Sequence, residues 1–157
     1  MIKTLLFFFI LSTGLLFSQK SNTLLSFSFE EAYKLQEKEK KPLVVFFHTK
    51  WCKYCFAMKK STFMDKKVID LLNQNFYFIT FDAESTDTLK IKDKTFKNKS
   101  GIHEIVEILA SRDNTISYPT TVILSANNTI DEQIDSFISA TEIHEILTTY
   151  ITKSHSN

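Results

Sequence analysis

The sequence predicts an α/β domain in which helices flank a mixed central sheet, and three observations lead there. Apolar runs of strand length alternate with amphipathic stretches of helical period. The chain's two cysteines, Cys52 and Cys55, stand between one such run and one such stretch. A second apolar run opens on Pro119, which has no N–H for a ladder and so marks the head of a strand.

The elements follow in order. Residues 1–18 read as a secretory signal peptide, with Lys3 as the basic n-region, an apolar stretch from Leu5 to Phe17 and a small residue, Ser18, for cleavage. The apolar stretch is too short for a comfortable membrane span. Residues 19–27 form a linker, 28–153 the domain and 154–157 a tail. Ser28-Phe29-Glu30-Glu31 is a capping box for a helix to about Glu39, ending before Pro42. Leu43 to His48 is the first buried strand. The helix after the cysteines carries its stripe through Val68, Ile69, Leu71 and Leu72, and is expected to run with a kink to Gln74. Asn75 to Asp82 is a second strand, rich in aromatic and β-branched residues.

Residues 84–100 are polar and hold five lysines from Lys90 to Lys99. They predict a small inserted hairpin around Leu89–Ile91 and Lys94–Phe96, with a solvated basic face or a docking surface for an acidic partner as its two readings. Gly101 to Ser111 predicts a helix with His103 on its polar flank. The strand after Pro119 turns at Asn127-Asn128 and returns over Thr129 to Phe137. Ser139-Ala140-Thr141-Glu142 then caps a last helix to about Ile151. Loss of Lys3 with the leader leaves 18 basic against 18 acidic side chains, so the balance points neither to nucleic acid nor to an anionic membrane. One core suffices for this length, and the chain is rich in phenylalanine, with 15 in all.

Trp51-Cys52-Lys53-Tyr54-Cys55 carries the chemistry. Disulfide exchange needs a thiolate, and a helix N-terminus favours negative charge, so Cys52 is the candidate nucleophile. Cys55, three positions on, lies on the same helical face and is the candidate resolving thiol. Lys53 adds a cation beside the nucleophile, whereas Tyr54 does not. Two other readings compete. A structural zinc site wants four ligands, and His48, His103, His144 and His155 do not stand at a finger-like spacing from the pair. A purely structural disulfide across two residues would constrain the unfolded chain very little.

The element order, with the cysteine motif after the first strand and Tyr118-Pro119-Thr120 before the third, resembles the thioredoxin superfamily over about Ser28 to Lys153. Lys41-Pro42 ahead of the strand and Thr62-Phe63 after the motif resemble exported bacterial members of the thiol:disulfide interchange type. Gly101-Ile102-His103-Glu104 resembles envelope members with an insertion ahead of this helix. The resemblance implies the thioredoxin fold and a dithiol oxidoreductase with no cofactor and no resident metal. It implies that Trp51 packs beside the site and that Pro119 is cis and faces the disulfide. It also implies that the Tyr118 backbone pairs with an extended substrate segment by strand addition. One departure stands out, because the family's buried aspartate is replaced here by Phe46. His48, on the same strand face by period-two alternation, is the candidate substitute as proton acceptor, against an ordinary packed histidine.

These readings predict a periplasmic or secreted monomer that reduces protein disulfides, fed by a membrane thiol-disulfide donor. A disulfide oxidase or isomerase is the second reading. A Cu(I)-binding protein using the thiols with His48, and a fold that only binds partner chains at the Pro119 groove, are others.

Overall fold

The structure is a computed structural model, described over residues 23–154. The expected leader, residues 19–22 of the expected linker, and 155–157 lie outside the described residues. A five-stranded sheet forms the centre: β1 (Ser26–Phe27), β2 (Leu43–His48), β3 (Tyr77–Asp82), β4 (Thr120–Leu124) and β5 (Ile130–Ile134). The spatial order is β1-β3-β2-β4-β5, with β1, β3 and β2 parallel and β4 and β5 antiparallel to their neighbours.

Strand alternation sorts the core into two layers. Leu43, Val45 and Phe47 face one side of the sheet, against helices α1 (Phe29–Lys38) and α4 (Glu104–Ala110). Val44 and Phe46 face the other, against α2 (Lys53–Lys60), α3 (Lys66–Asn75) and α5 (Ala140–Ser154). Both cysteines belong to this second layer, with Phe46, Met58 and Phe63. Phe63 is wedged between Phe46 and Phe78, at ring-centre distances of 4.8 and 4.9 Å.

Both expected capping boxes form. Ser28 Oγ accepts the Glu31 N–H while Glu31 accepts the Ser28 N–H, and Ser139 and Glu142 repeat the exchange at α5. The expected linker contributes structure, since β1 extends the sheet and Asn73 ties down Thr23 and Leu25. Among the described residues no helix is long and apolar enough to cross a membrane.

Three expectations need correction. The helix after the cysteines does not continue to Gln74. It stops at Lys60, a 3₁₀ turn spans Thr62–Met64, and α3 restarts under an Asp65 cap that accepts the Lys67 and Val68 N–H groups. The buried Thr62 hydroxyl donates to the Ile138 carbonyl at 2.7 Å and pulls the chain off the helical path. The helix expected from Gly101 begins only at Glu104, because Ile102–His103 first pairs with Asn98–Lys99 around Gly101 at φ 95°.

His103 is fully buried rather than on a polar flank. Its Nδ1 accepts the Ile105 N–H at 3.3 Å, and its Nε2–H donates to the Asp87 carbonyl at 3.1 Å. The polar insertion folds back over it. Within that insertion Leu89–Ile91 pairs with Lys94–Phe96, the hairpin the alternation predicts. A further small hairpin, Ser111–Arg112 with Thr115–Ile116, lies against β5, where Arg112 donates to the Gln133 carbonyl and pairs with Asp135.

Candidate active site

The last strand residues and the first turn of α2 bring the motif together. Cys52 caps α2, and its Sγ accepts the Cys55 N–H at 3.0 Å. That is one of the four N–H groups a helix start leaves without an intrahelical partner. The two cysteines are joined as a disulfide with Cα atoms 5.2 Å apart. Cys52 is 6% exposed and Cys55 1%, so an incoming partner meets the Cys52 sulfur first.

Aromatic side chains ring this opening. Trp51 is 66% exposed, meets Tyr118 edge-on at 6.0 Å, and donates its indole N–H to Glu84 at 2.9 Å. Tyr54, 68% exposed, leans on Phe137 at 6.3 Å. Lys53 is exposed beside it. Pro119 is buried at the head of β4, and the Tyr118–Pro119 peptide bond is cis. The Tyr118 hydroxyl is buried without a hydrogen-bond partner. Burial first, then the charges of Glu84 and Asp82, push its acidity away from neutrality, to a pKa of about 12, so it stays a donor. Thr120 anchors the loop from behind, its Oγ1 lying 2.7 Å from the Ser117 carbonyl and 3.2 Å from Asp135 Oδ1.

His48 ends β2 on the cysteine side of the sheet, with its ring stacked on Phe46 at 5.7 Å. Its Nε2 lies 2.8 Å from the Lys59 ammonium. Burial first, and the Lys59 cation second, hold the imidazole at about 4, despite the opposing pull of Asp82. A base so weak is poorly matched to proton transfer near neutral pH, and the stacking on Phe46 fits the packed histidine of the two readings. Its Nε2 is also turned to Lys59 rather than offered to a metal. Among the described residues no group of three or more His, Cys, Asp or Glu could hold an ion.

The structure therefore gathers Trp51, Cys52, Lys53, Tyr54, Cys55, Tyr118 and Pro119 as the sequence predicts, and places His48 beneath them. Lys59, Glu84, Phe137 and Asp135 join them unannounced. Of these only Lys59 carried a sequence signal, being four residues past Cys55 on one helical face.

A redox-active cysteine pair at a helix start, under an exposed aromatic rim, defines a thiol-disulfide oxidoreductase of the α/β class. Residues 29–151 match the model of the thioredoxin-like domain, and the chain belongs to that family. No curated protein sequence matches it. Several solved structures share the fold. A thioredoxin from Thermus thermophilus aligns at 19% identity and TM-score 0.62 over 83% of this chain and 89% of its own. The protein described as DsbH oxidoreductase aligns at 14% identity and TM-score 0.59 over 82% and 85%. A putative disulphide-isomerase from Bacteroides thetaiotaomicron aligns at 23% identity and TM-score 0.57 over 80% and 89%. At these identities the likeness is one of fold.

Proposed function

We propose that this oxidoreductase works outside the cytoplasm as a reductant of protein disulfides, with Cys52 as nucleophile and Cys55 as resolving thiol. The observation that carries the assignment of roles is the position of Cys52, capping α2 with its sulfur on the Cys55 N–H and more open to solvent than its partner. In the reduced protein the Cys52 thiolate attacks a substrate disulfide, forming a mixed disulfide and expelling one substrate thiolate. Cys55 then attacks Cys52, the Cys52–Cys55 bond forms, and the second substrate thiolate leaves. Two electrons have passed from the pair to the substrate. A membrane thiol-disulfide donor returns them.

Trp51, Tyr54 and Tyr118 supply the apolar rim against which an unfolded or extended segment would lie, and Pro119 sets the edge along which the Tyr118 backbone would pair with it. Export is supported by the pattern of residues 1–18. The direction is tested by the reduction potential of the mature domain, equilibrated in glutathione or dithiothreitol buffers with trapping of free thiols. A value near about −270 mV supports a reductant, and one near about −120 mV makes it an oxidant. Cys55→Ser should accumulate mixed disulfides with substrate, and Cys52→Ser should form none.

A further inference from the structure

Cys55 poses a problem that Cys52 does not. Cys55 is buried in the apolar layer that also holds Phe46, Met58 and Phe63, surroundings in which a thiol gives up its proton reluctantly. The second half of the exchange nevertheless needs its thiolate.

Lys59 stands four residues beyond Cys55 and seven beyond Cys52, so all three share one face of α2. Side chains on a helix lean towards its N-terminus, which lays the Lys59 side chain over the turn that carries Cys55. Its ammonium does not swing out to water. It is turned inward to His48 Nε2 at 2.8 Å, and the His48 ring stacks on Phe46, a member of the same apolar layer as both cysteines. An ammonium has only donors, so the imidazole accepts and is neutral. Asp82, opposite His48 in the β2–β3 register, is the nearest counter-charge, and it is shared with Lys50 at 3.8 Å.

We propose that Lys59 is a positioning residue for the resolving step: its ammonium, held inward by neutral His48, stabilises the Cys55 thiolate. The proposal rests on the assignment of Cys55 as resolving thiol. The step balances without a protein base. The Cys55 proton leaves to solvent, the thiolate attacks Cys52 Sγ, the Cys52–Cys55 bond forms, and the substrate sulfur departs with the electron pair and takes a proton from solvent. Burial lowers the pKa of Lys59 itself, and the charge of Asp82 opposes that shift. His48 thus serves as a holder of charge rather than as the proton acceptor.

The size of the effect follows from two opposing terms. Loss of a close cation moves a thiol titration up by about two pH units, which cuts the thiolate fraction about a hundredfold. The remaining thiolate is about tenfold more nucleophilic, so resolution slows by about tenfold. The test is Lys59→Met, with Lys59→Arg as the charge-conserving partner, in the full chain. Rapid-quench trapping separates formation of the Cys52 mixed disulfide from its resolution. Lys59→Met should slow resolution about tenfold at neutral pH and leave mixed-disulfide formation within about twofold, and Lys59→Arg should restore most of the loss.

A second readout does not depend on substrate turnover. In the Cys52→Ala background, the pH dependence of Cys55 alkylation by iodoacetamide should shift upward by about two units with Lys59→Met. Equal slowing of both steps, or an unchanged Cys55 alkylation profile, overturns the proposal. Failure of the unmutated protein to exchange disulfides at all would instead remove the oxidoreductase roles, while the alkylation profile would still decide the Lys59–Cys55 coupling.

Discussion

Acid should destabilise this domain through His48, and the size of the loss can be worked from its surroundings. The folded imidazole is held at about 4 against an ordinary value of 6.5, with burial as the larger cause and the Lys59 ammonium as the second. Between those two values the unfolded chain binds the proton and the folded one does not. Stability contributed by the neutral ring is therefore complete above about pH 6.5 and is lost as the pH falls towards about 4. For a fully buried group the gap would correspond to about 3.4 kcal/mol. The ring is partly solvated, and screening reduces this to about 1–2 kcal/mol.

His48→Phe keeps the stacking on Phe46 and removes the titration. Urea unfolding of wild type and variant at about pH 7 and about pH 4.5 separates the contribution of His48 from the titrations that the two proteins share. Wild type should lose about 1–2 kcal/mol more than the variant over that interval. Equal losses, to within about 0.3 kcal/mol, would refute the placement of a neutral, cation-facing His48.

Other consequences are open to direct measurement. Trp51 is the sole tryptophan, so Glu84→Ala, which removes the acceptor of its indole N–H, should shift its fluorescence emission while changing stability by no more than about 0.5 kcal/mol; Glu84→Gln should keep the spectrum. Asp135→Ala removes one acceptor from the Gln133 amide, the Arg112 guanidinium and the Thr120 hydroxyl, each of which keeps a second partner, and should cost about 0.5–1.5 kcal/mol in chemical denaturation. Phe63→Ala empties the wedge between Phe46 and Phe78 and should cost about 3–5 kcal/mol by the same assay. Ser28→Ala removes one half of the α1 capping box and should lower stability by about 1 kcal/mol.

What could be read from the chain was what local chemistry dictates. The apolar runs at Leu43, Tyr77 and Thr120 became the three inner strands, and both Ser-x-x-Glu boxes became helix starts. The cysteine spacing and the proline before β4 were enough to locate the site. The features that escaped depend on partners distant in sequence. The two residues of β1 form a strand only because β3 offers an edge some fifty positions later. The break at Ser61 follows from the hold of Ile138 on Thr62, which no periodicity reports. His103 looked like a surface residue on its own helix, and it is buried because the insertion supplies the Asp87 carbonyl. Phe137 and Asp135 reach the site from the far end of the chain.

The hairpin at Ser111–Ile116 gives the sheet a property unrelated to catalysis. β5 is an outer strand, and an outer strand exposes a row of backbone groups that a second molecule can pair with. Arg112 occupies the Gln133 carbonyl in that row, Asp131 and Glu132 add charge to the same strand, and the opposite border, β1, is only two residues long. Neither border offers a template for polymerisation. Both borders of the sheet are thus blunted against edge-to-edge pairing with a second molecule, and no residue of the cysteine site takes part in it.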